Sequence, residues 1–431
     1  MNKYQTFIFK AYDFNKEGKT LKLVYSYDNE IEFSETYRFD FEFIGYDESS
    51  LNQAINLLFL TAGVSYYKAF LAPEIKLEAG NVDQALSEFL SRTYQNGLGE
   101  FFYVNKLDPR TRIVFPINSD GLNATNAITS PAKMIGIGGG KDSLVSVEML
   151  RDSSNVSTFS VDHKQLLSPL VQTIGLPHLW IERQFDPKIK ELNAQGAYNG
   201  HVPISAIIGC VGVVCSVLSG NQDIIVSNES SASEPTLVYN GVEINHQYSK
   251  SLAFEKDFQT VLGKLFNDSV RYYSLLRPLS ELRIAELFAK VGFAKYRGVF
   301  SSCNRAFASH GDHIYWCGEC PKCAFVFMAL TPFINREELE SIWGKNLLLD
   351  PSLKSTYEQL LGIAGDKPLD CVGEIKESRT AMRLAQQIYP ELNSYKFFIP
   401  EGYDYKAMSS HSMPEDEFDK LKDFISKTLS E

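Results

Sequence analysis

The chain has 431 residues, of which 44% are hydrophobic and 22% are charged, and its formal net charge is −11. These values are typical of a globular protein with about two to four domains. The acidic balance argues against a general basic surface for nucleic acid, so we expect no nucleic-acid partner. The longest apolar stretch, residues 204–218, is too short for a membrane span and predicts a buried helix.

The number of cysteines and the first residues of the sequence both favour a cytoplasmic protein. Seven cysteines are present, three of them near residue 320, and the sequence opens Met1-Asn-Lys-Tyr without the apolar stretch of a signal peptide. An odd number of cysteines without a secretion signal argues against a disulfide framework. We therefore expect a cytoplasmic protein that does not associate with a membrane.

The first 45 residues predict a small antiparallel meander, because aromatic or aliphatic residues alternate there with polar ones. Two helices are predicted next, over residues 51–62 and 82–94, the second with Asn81 as its N-cap. Residues 105–132 contain three prolines and a Ser/Asp/Gly/Asn cluster, which is typical of a linker. We expect an N-terminal α+β domain over residues 1–130.

From Lys133 the pattern changes to strands that alternate with helices. Strands are predicted over residues 135–137, 156–161, 178–183 and 223–227, and a buried helix over residues 204–218. This alternation is typical of an α/β, doubly wound parallel sheet, in which ligands bind at the carboxyl ends of the strands. We expect this domain at residues 131–331, followed by a mostly helical C-terminal region at residues 332–431.

A glycine-rich segment follows the first of these strands: Gly138-Gly139-Gly140-Lys141-Asp142-Ser143, here called the glycine loop. A bare strand-to-helix turn points N–H groups and the positive end of a helix at an anion, most often a phosphate. The segment does not match the Walker A motif, because Asp142 follows Gly140-Lys141 where that motif has Ser or Thr. It does not match the Rossmann motif either, because the third glycine of that motif would fall on Lys141.

The glycine loop instead resembles the PP-loop Ser-Gly-Gly-x-Asp-Ser of the ATP pyrophosphatases, with Gly138 in place of the first serine. The resemblance implies the adenine nucleotide alpha hydrolase-like fold and ATP cleaved between its α and β phosphates. It also implies that Asp142 lies near Mg²⁺ and that Ser143 contacts the leaving pyrophosphate. Asp162 and His163, which end the second strand, are predicted to join this nucleotide site. A glycine-rich turn without a ligand is the alternative.

A second motif combines Cys317-Gly-Glu-Cys320-Pro-Lys-Cys323 with Cys303 upstream. Four thiolates at such spacings can close a tetrahedral zinc site. A similar zinc cluster occurs in the PP-loop enzymes that make 7-cyano-7-deazaguanine. The alternative is buried or redox cysteines without a metal. Cys371 stands apart, as a core thiol or a catalytic one.

Further polar residues are candidates for substrate binding. Asn228 and Glu229 follow the fourth strand, and Lys250 ends a segment that also carries His246. Arg277 begins a probable helix and is suited to an anion. For each single residue, a surface position or a satisfied core position is an equally good interpretation. The full set is Asn228, Glu229, Lys250, Arg277 and Arg305.

Several further segments form a distinctive set together with the glycine loop. They are Gly63-Val-Ser-Tyr-Tyr-Lys68, Asn96-Gly-Leu-Gly-Glu100, Asn245-His-Gln-Tyr-Ser-Lys250, Leu276-Arg-Pro-Leu-Ser-Glu281, Ser302-Cys-Asn-Arg305 and Cys320-Pro-Lys-Cys323. Taken in this order, they resemble the MurL family, the UDP-N-acetyl-α-D-muramoyl-L-alanyl-L-glutamate epimerases of bacterial peptidoglycan synthesis. The resemblance extends from about residue 6 to residue 380 and is more specific than the glycine loop alone.

The resemblance implies that the terminal L-glutamate of a nucleotide-linked dipeptide is converted to D-glutamate, with ATP and Mg²⁺ consumed to AMP and pyrophosphate. Adenylating the glutamate carboxylate neutralises it, so its α-proton becomes more acidic. A general base must then reach the α-carbon, with an acid on the opposite face or solvent in its place. The candidate bases are His246, Cys371, Cys303, His163 and His201; Cys303 leaves this set if it binds zinc.

Two other functions compete with this one. A PP-loop amidating or thiolating enzyme, of the 7-cyano-7-deazaguanine synthase or tRNA-modifying type, would share the glycine loop. A tRNA enzyme should show a basic face, which the net charge of −11 does not favour. A non-catalytic nucleotide-binding regulator is disfavoured by Asp142 and Ser143, which adenosine binding does not require. The sequence predicts no oligomeric state.

Overall fold

The structure is a computed structural model that describes residues 3–308 and 314–430. Its strands are β1 (Thr6–Asn15), β2 (Thr20–Tyr27), β3 (Ile31–Asp40), β4 (Glu74–Leu77), β5 (Ser130–Gly136), β6 (Val156–Val161), β7 (His178–Gln184), β8 (Asn221–Val226), β9 (Leu237–Tyr239), β10 (Val242–Ile244) and β11 (Arg271–Ser274).

Helices fill most of the remaining chain. They are α1 (Glu48–Ala62), α2 (Val64–Tyr67), α3 (Gln84–Gly97), α4 (Gly99–Val104), α5 (Lys141–Leu150), α6 (Lys164–Ile174), α7 (Lys188–Ala194), α8 (Ile204–Ser219), α9 (Leu252–Phe266), α10 (Glu281–Val291), α11 (Phe293–Tyr296), α12 (Asn304–Ala308), α13 (Pro321–Leu330), α14 (Arg336–Trp343), α15 (Lys354–Leu360), α16 (Ile375–Ile388) and α17 (Glu415–Leu429). Short 3₁₀ turns lie at Ser230–Ser233, Tyr248–Lys250, Pro351–Leu353 and Pro390–Ser394.

Nine strands form one mixed sheet in the order β11-β8-β5-β6-β7-β3-β2-β1-β4. The five strands from β11 to β7 are parallel, as the alternation of strands and helices predicts. The N-terminal meander is antiparallel, and its strand β3 pairs with β7. The α/β class with a mostly parallel sheet is therefore confirmed. The meander continues this sheet, and the three-domain division stays a prediction.

The parallel part of the sheet is buried on both faces. Met134 and Ile224 belong to one core with α1, α8 and α9, whereas Ile135 and Ile225 belong to a second core with α5, α10 and α13. Neighbouring residues of one strand point to opposite faces, so these two cores lie on opposite sides of the sheet. This burial explains why β5 and β8 are apolar runs rather than alternating ones.

The order of the parallel strands fixes where a ligand can bind. Strand β5 lies between β6 and β8. The chain therefore adds β6 and β7 on one side of β5 and then β8 and β11 on its other side. Such a reversal leaves a crevice at the carboxyl ends of the two strands that flank it, here β5 and β8. The glycine loop follows β5, and Asn228 and Glu229 follow β8.

Most predicted elements are present, with shifted ends. Helix α1 begins three residues earlier than predicted, because the Asp47 side chain accepts the Ser50 N–H at 2.7 Å. Asp83, not Asn81, caps α3, so the predicted N-cap is wrong. The Asn81 N–H is instead bound by Asn56 Oδ1 at 2.9 Å. Among helices within residues 3–308 and 314–430, none has the length and apolar character needed to cross a bilayer.

Candidate active site

The glycine loop passes closely beneath the segment around Ser301. Gly139 has a φ of +90°, and a Cβ on it would lie 2.7 Å from the Ser301 carbonyl oxygen, so only glycine fits. The Gly139 carbonyl accepts the Ser301 N–H at 2.9 Å. A Cβ on Gly138, by contrast, would meet none of the described atoms within 4 Å. A serine would therefore fit at residue 138, and sterics do not explain the glycine there.

A buried network of lysines and carboxylates lies at the start of α5. Lys141 Nζ is paired with both Asp142 and Glu281, and the side chains of Lys141 and Glu281 are 2% and 1% exposed. Lys322 Nζ lies 3.6 Å from the other Glu281 oxygen. Burial opposes the charge on Glu281, but Lys141 and Lys322 hold its pKa at about 2. Glu281 thus links the glycine loop to α13 as a fixed anion.

Glu229, at the end of β8, faces the same network. Burial, with Glu281 and Asp142 nearby, raises the pKa of Glu229 to about 7. Two carboxylates that repel each other in a buried crevice are a suitable oxygen donor set for a divalent cation such as Mg²⁺. The donor chemistry of Asp142 and Glu229 therefore fits the magnesium site that the sequence predicts at Asp142.

Five side chains meet beside this crevice, here called the Cys371 cluster. Lys250 Nζ donates to Cys371 Sγ at 3.3 Å, and His246 Nε2 lies 3.9 Å from the same sulfur. The other His246 nitrogen contacts Glu100 Oε2. His201 Nδ1 lies 3.5 Å from Glu100 Oε2. The cluster therefore has the connectivity carboxylate–imidazole–thiol, with an ammonium at the sulfur.

The charges in the Cys371 cluster are set by these contacts. Burial opposes the Cys371 thiolate, but the Lys250 ammonium and His246 together lower its pKa to about 6. Burial likewise opposes the His246 imidazolium, but Cys371 and Glu100 raise its pKa to about 9. Burial, reinforced by His246, lowers the pKa of His201 to about 4. At neutral pH the cluster therefore holds a thiolate, an imidazolium and a neutral imidazole.

Arg277 fixes two loop segments of this site rather than reaching open space. It is 1% exposed and pairs with Glu255 at 2.9 Å. Its other N–H groups donate to the carbonyl oxygens of Glu229 at 2.6 Å and Lys250 at 2.5 Å. Buried backbone carbonyls need such partners. The guanidinium therefore sets the positions of the backbone that carries Glu229 and Lys250.

The cysteine cluster brings together all four predicted thiols. Cys303 Sγ lies 3.9 Å from Cys320 Sγ, and Cys317 Sγ lies 3.7 Å from Cys323 Sγ. All four sulfur atoms lie within 4.8 Å of one another. Tetrahedral Zn–S bonds of about 2.3 Å place thiolates roughly 3.8 Å apart, so these residues fit a zinc ion. Cys303 is buried among these thiols, whereas Lys250 and His246 contact the sulfur of Cys371.

The other predicted residues are more scattered. Asp162 accepts the Arg183 N–H at 2.6 Å, and the His163 ring lies 5.2 Å from Phe307, which borders Gly139. The Asn228 carbonyl accepts the Ser274 hydroxyl at 2.6 Å. Arg305 is exposed and paired with Glu319. His163 thus lies towards the glycine loop, the Asp162 side chain binds the backbone of β7, and Arg305 projects to the surface.

Sequence reasoning assigned no role to three residues of the site: Glu100, Glu281 and Lys322. Glu281 follows the N-cap Ser280 and therefore looks like an ordinary first-turn acid of a helix. Lys322 lies between Cys320 and Cys323 of the cysteine cluster and contacts the Cys371 carbonyl. The segments that resemble MurL proteins contain all three residues, and this is the signal that could have identified them.

These features define an α/β enzyme with a polar, buried site at the carboxyl edge of its parallel strands. The MurL N-terminal domain model matches residues 1–275, and the MurL C-terminal domain model matches residues 299–395. The chain belongs to the MurL family, and it is an epimerase, a member of the isomerases.

Curated relatives are similar in sequence to this chain over most of its length. A protein of Xanthomonas oryzae pv. oryzae named UDP-N-acetyl-alpha-D-muramoyl-L-alanyl-L-glutamate epimerase is 41% identical over 384 residues, which is 88% of this chain and 85% of the relative. A protein of the same name from Salinispora tropica is 40% identical over 78% of this chain and 74% of its own length. No solved structure shows a significant match.

Proposed function

We propose that this protein epimerises the terminal L-glutamate of UDP-N-acetyl-α-D-muramoyl-L-alanyl-L-glutamate to D-glutamate, in the synthesis of cell-wall peptidoglycan. The names of its relatives support the substrate. The observation that carries the chemistry is the position of the Cys371 thiol, 3.3 Å from the Lys250 ammonium and 3.9 Å from His246. The Cys371 carbonyl also contacts Lys322, which belongs to the charged network at the start of α5. The negative charges of Cys371, Glu229 and Asp142 raise the pKa of Lys250. Lys250 is therefore near both the Cys371 cluster and the carboxylates beside the glycine loop.

The reaction begins with activation of a carboxylate. One oxygen of the glutamate carboxylate attacks the α-phosphorus of ATP, pyrophosphate leaves, and an acyl-adenylate forms. The loop N–H groups and the start of α5 bind the phosphates, as PP-loop proteins are expected to do. A Mg²⁺ ion held by Asp142 and Glu229 would offset phosphate charge in this crevice.

The α-proton is removed in the second step. The Cys371 thiolate takes this proton, and the electron pair moves into the activated carbonyl. The 3.9 Å between Cys371 Sγ and His246 Nε2 leaves no room for a carbon atom between them. The pair therefore acts on one face of the α-carbon. Solvent returns a proton to the other face, and water then releases AMP from the acyl group.

His246 and Glu100 have a supporting role in this step. The imidazolium stabilises the thiolate before the proton moves, and Glu100 fixes the imidazole ring through its second nitrogen. This arrangement keeps the sulfur deprotonated at neutral pH, where an ordinary thiol is mostly protonated.

The cysteine cluster is proposed as a structural zinc site. It orders the segment from Ser301, which covers Gly139, and the first turn of α13, from which Lys322 reaches the Cys371 carbonyl. A bound zinc ion would supply only cross-linking of these segments, because four thiolates leave no open coordination position. Free cysteines, which include Cys210 and Cys215, favour the reducing cytoplasm.

Incubation with UDP-N-acetylmuramoyl-L-Ala-L-Glu, ATP and Mg²⁺ tests this function. We expect AMP, pyrophosphate and D-glutamate after acid hydrolysis, and no D-glutamate when ATP is omitted. Absence of both AMP and D-glutamate would show that the function is wrong. AMP release that requires ammonia or a sulfur donor would instead indicate the amidating or thiolating class.

A further inference from the structure

A second cavity begins where the Cys371 cluster ends. It has a volume of about 1040 Å³, and Gly99 and Asn245 in its wall directly precede Glu100 and His246. Helix α3, the 3₁₀ turn Tyr248–Lys250, helix α9 and strand β10 enclose it. A substrate whose glutamate reacts at Cys371 can therefore extend its remaining length into this cavity.

The charge of this cavity is opposite to that of the whole chain. Its charged lining residues are Arg110, Arg112, Lys256 and Glu243, which give a local charge of +2. The chain as a whole carries −11. Arg110 is joined to Asp108 at 3.1 Å, but both side chains are more than half exposed, so this pair is weak. The cavity is thus suited to an anionic ligand.

The two arginines lie on a segment that is held in place. Gln95 Nε2 donates to the Pro109 carbonyl at 2.7 Å, and Gln95 Oε1 accepts the Ile113 N–H at 3.2 Å. Residues 109–113 are therefore clamped at both ends, with Arg110 and Arg112 between them. Ile113 is 4% exposed and anchors the same segment in the core. The backbone that carries both cations is therefore already ordered, and only the two side chains have to be ordered when a polyanion binds.

The remaining lining of this cavity is mostly apolar and carries one aromatic ring. Val242, Ile244 and Leu252 line it together with Tyr248, whose hydroxyl is bonded to Asn96. Strand β10 belongs to a hairpin with β9 whose turn, Asn240-Gly241, has positive φ at both residues. Apolar and aromatic walls with a few polar groups are typical of sites for nucleosides and sugars.

We propose that this cavity binds the nucleoside diphosphate end of the substrate, with Arg112, Lys256 and Arg110 contacting the diphosphate. This inference rests on the proposed function, because that function supplies a ligand with a reactive glutamate at one end and a nucleotide at the other. It assigns the glutamate to the Cys371 cluster, ATP to the glycine loop, and the second nucleotide to a separate site.

The test compares two substrates in variants of the full chain. Arg112→Ala and Lys256→Ala should each raise the KM for the nucleotide-linked substrate about tenfold, and leave the KM for ATP unchanged. The same variants should not change kcat/KM for N-acetylmuramoyl-L-Ala-L-Glu, which lacks the nucleotide and also shows that each variant is folded. Lys264→Ala, at an exposed position of the same helix α9, is the matched control.

Binding of UDP alone separates this inference from the proposed function. Calorimetry should show that UDP binds the wild-type chain, that Arg112→Ala weakens it about tenfold, and that UDP competes with the nucleotide-linked substrate but not with ATP. Normal epimerisation with unchanged KM in both variants, or competition of UDP with ATP alone, would overturn the inference and leave the function intact. No epimerisation by the wild-type chain would overturn the function, whatever UDP does.

Discussion

Replacing Lys250 with methionine removes the ammonium that lies 3.3 Å from Cys371 Sγ and keeps an unbranched side chain that is one atom shorter. At an effective dielectric constant of about 20, two unit charges at this distance attract by about 5 kcal/mol. That energy corresponds to about 3.7 pKa units. Relaxation and entry of water would recover part of it, so we expect the pKa of Cys371 to rise by at least about 2 units, from about 6 to about 8 or above.

The assay is the pH dependence of alkylation of Cys371 by iodoacetamide, followed by mass spectrometry of the peptide that contains it. The midpoint of this profile reports the thiol pKa, whereas the rate at one pH also reflects the nucleophilicity of the thiolate. Lys264→Met serves as the control, since this exposed lysine lies on the neighbouring helix α9. A midpoint of about 6 in Lys250→Met, or a wild-type midpoint near the ordinary thiol value of about 8.5, would refute the reasoning.

Three further predictions follow from the same geometry. The rate of epimerisation should rise between about pH 5 and pH 7, with a midpoint of about pH 6, as Cys371 loses its proton; a rate that does not change over this range would exclude Cys371 as the base. Gly139→Ala should abolish AMP release because of its φ of +90° and its contact at 2.7 Å, whereas Gly138→Ser should retain it; equal activities would contradict the geometry of the loop. Zinc analysis should find one ion per chain and much less in Cys317→Ser; a metal-free wild-type chain purified without chelator would show that the cluster is a thiol cluster.

Local sequence patterns predicted the N-terminal meander and four strands of the parallel part of the sheet, but not how the meander joins the parallel strands. Strands β5 and β8 follow from short apolar runs, because the central residues of each run are buried on both faces of the sheet, whereas β7 alternates buried and more exposed residues. The pairing of β3 with β7 joins residues about 145 positions apart, and no local periodicity specifies such a partner. The meander therefore looked independent, although its strand β3 lies against the parallel sheet.

Contacts between residues that are distant in the sequence also limited the prediction of the site. The glycine loop could be predicted because its chemistry lies in six consecutive residues. The Cys371 cluster was not, because Glu100 and His246 are 146 residues apart, and His246 and Cys371 are 125 residues apart. The sequence offered His246 and Cys371 as two of five candidate bases. Only the folded chain places His246 and Lys250 next to the sulfur of Cys371. Arg277 is a different case. The sequence suggested that it binds an anionic ligand, but its guanidinium is buried and binds backbone carbonyl oxygens instead.

The central claim is that ATP activates the carboxylate next to the carbon that is epimerised. Turnover of UDP-N-acetylmuramoyl-L-Ala-L-Glu in water enriched in oxygen-18 tests it directly, by mass spectrometry of AMP and of the released glutamate. If an acyl-adenylate forms, water attacks the acyl carbon, so the D-glutamate gains one labelled oxygen and AMP gains none. Label in AMP, with none in the D-glutamate, would show that ATP is simply hydrolysed and would contradict the account.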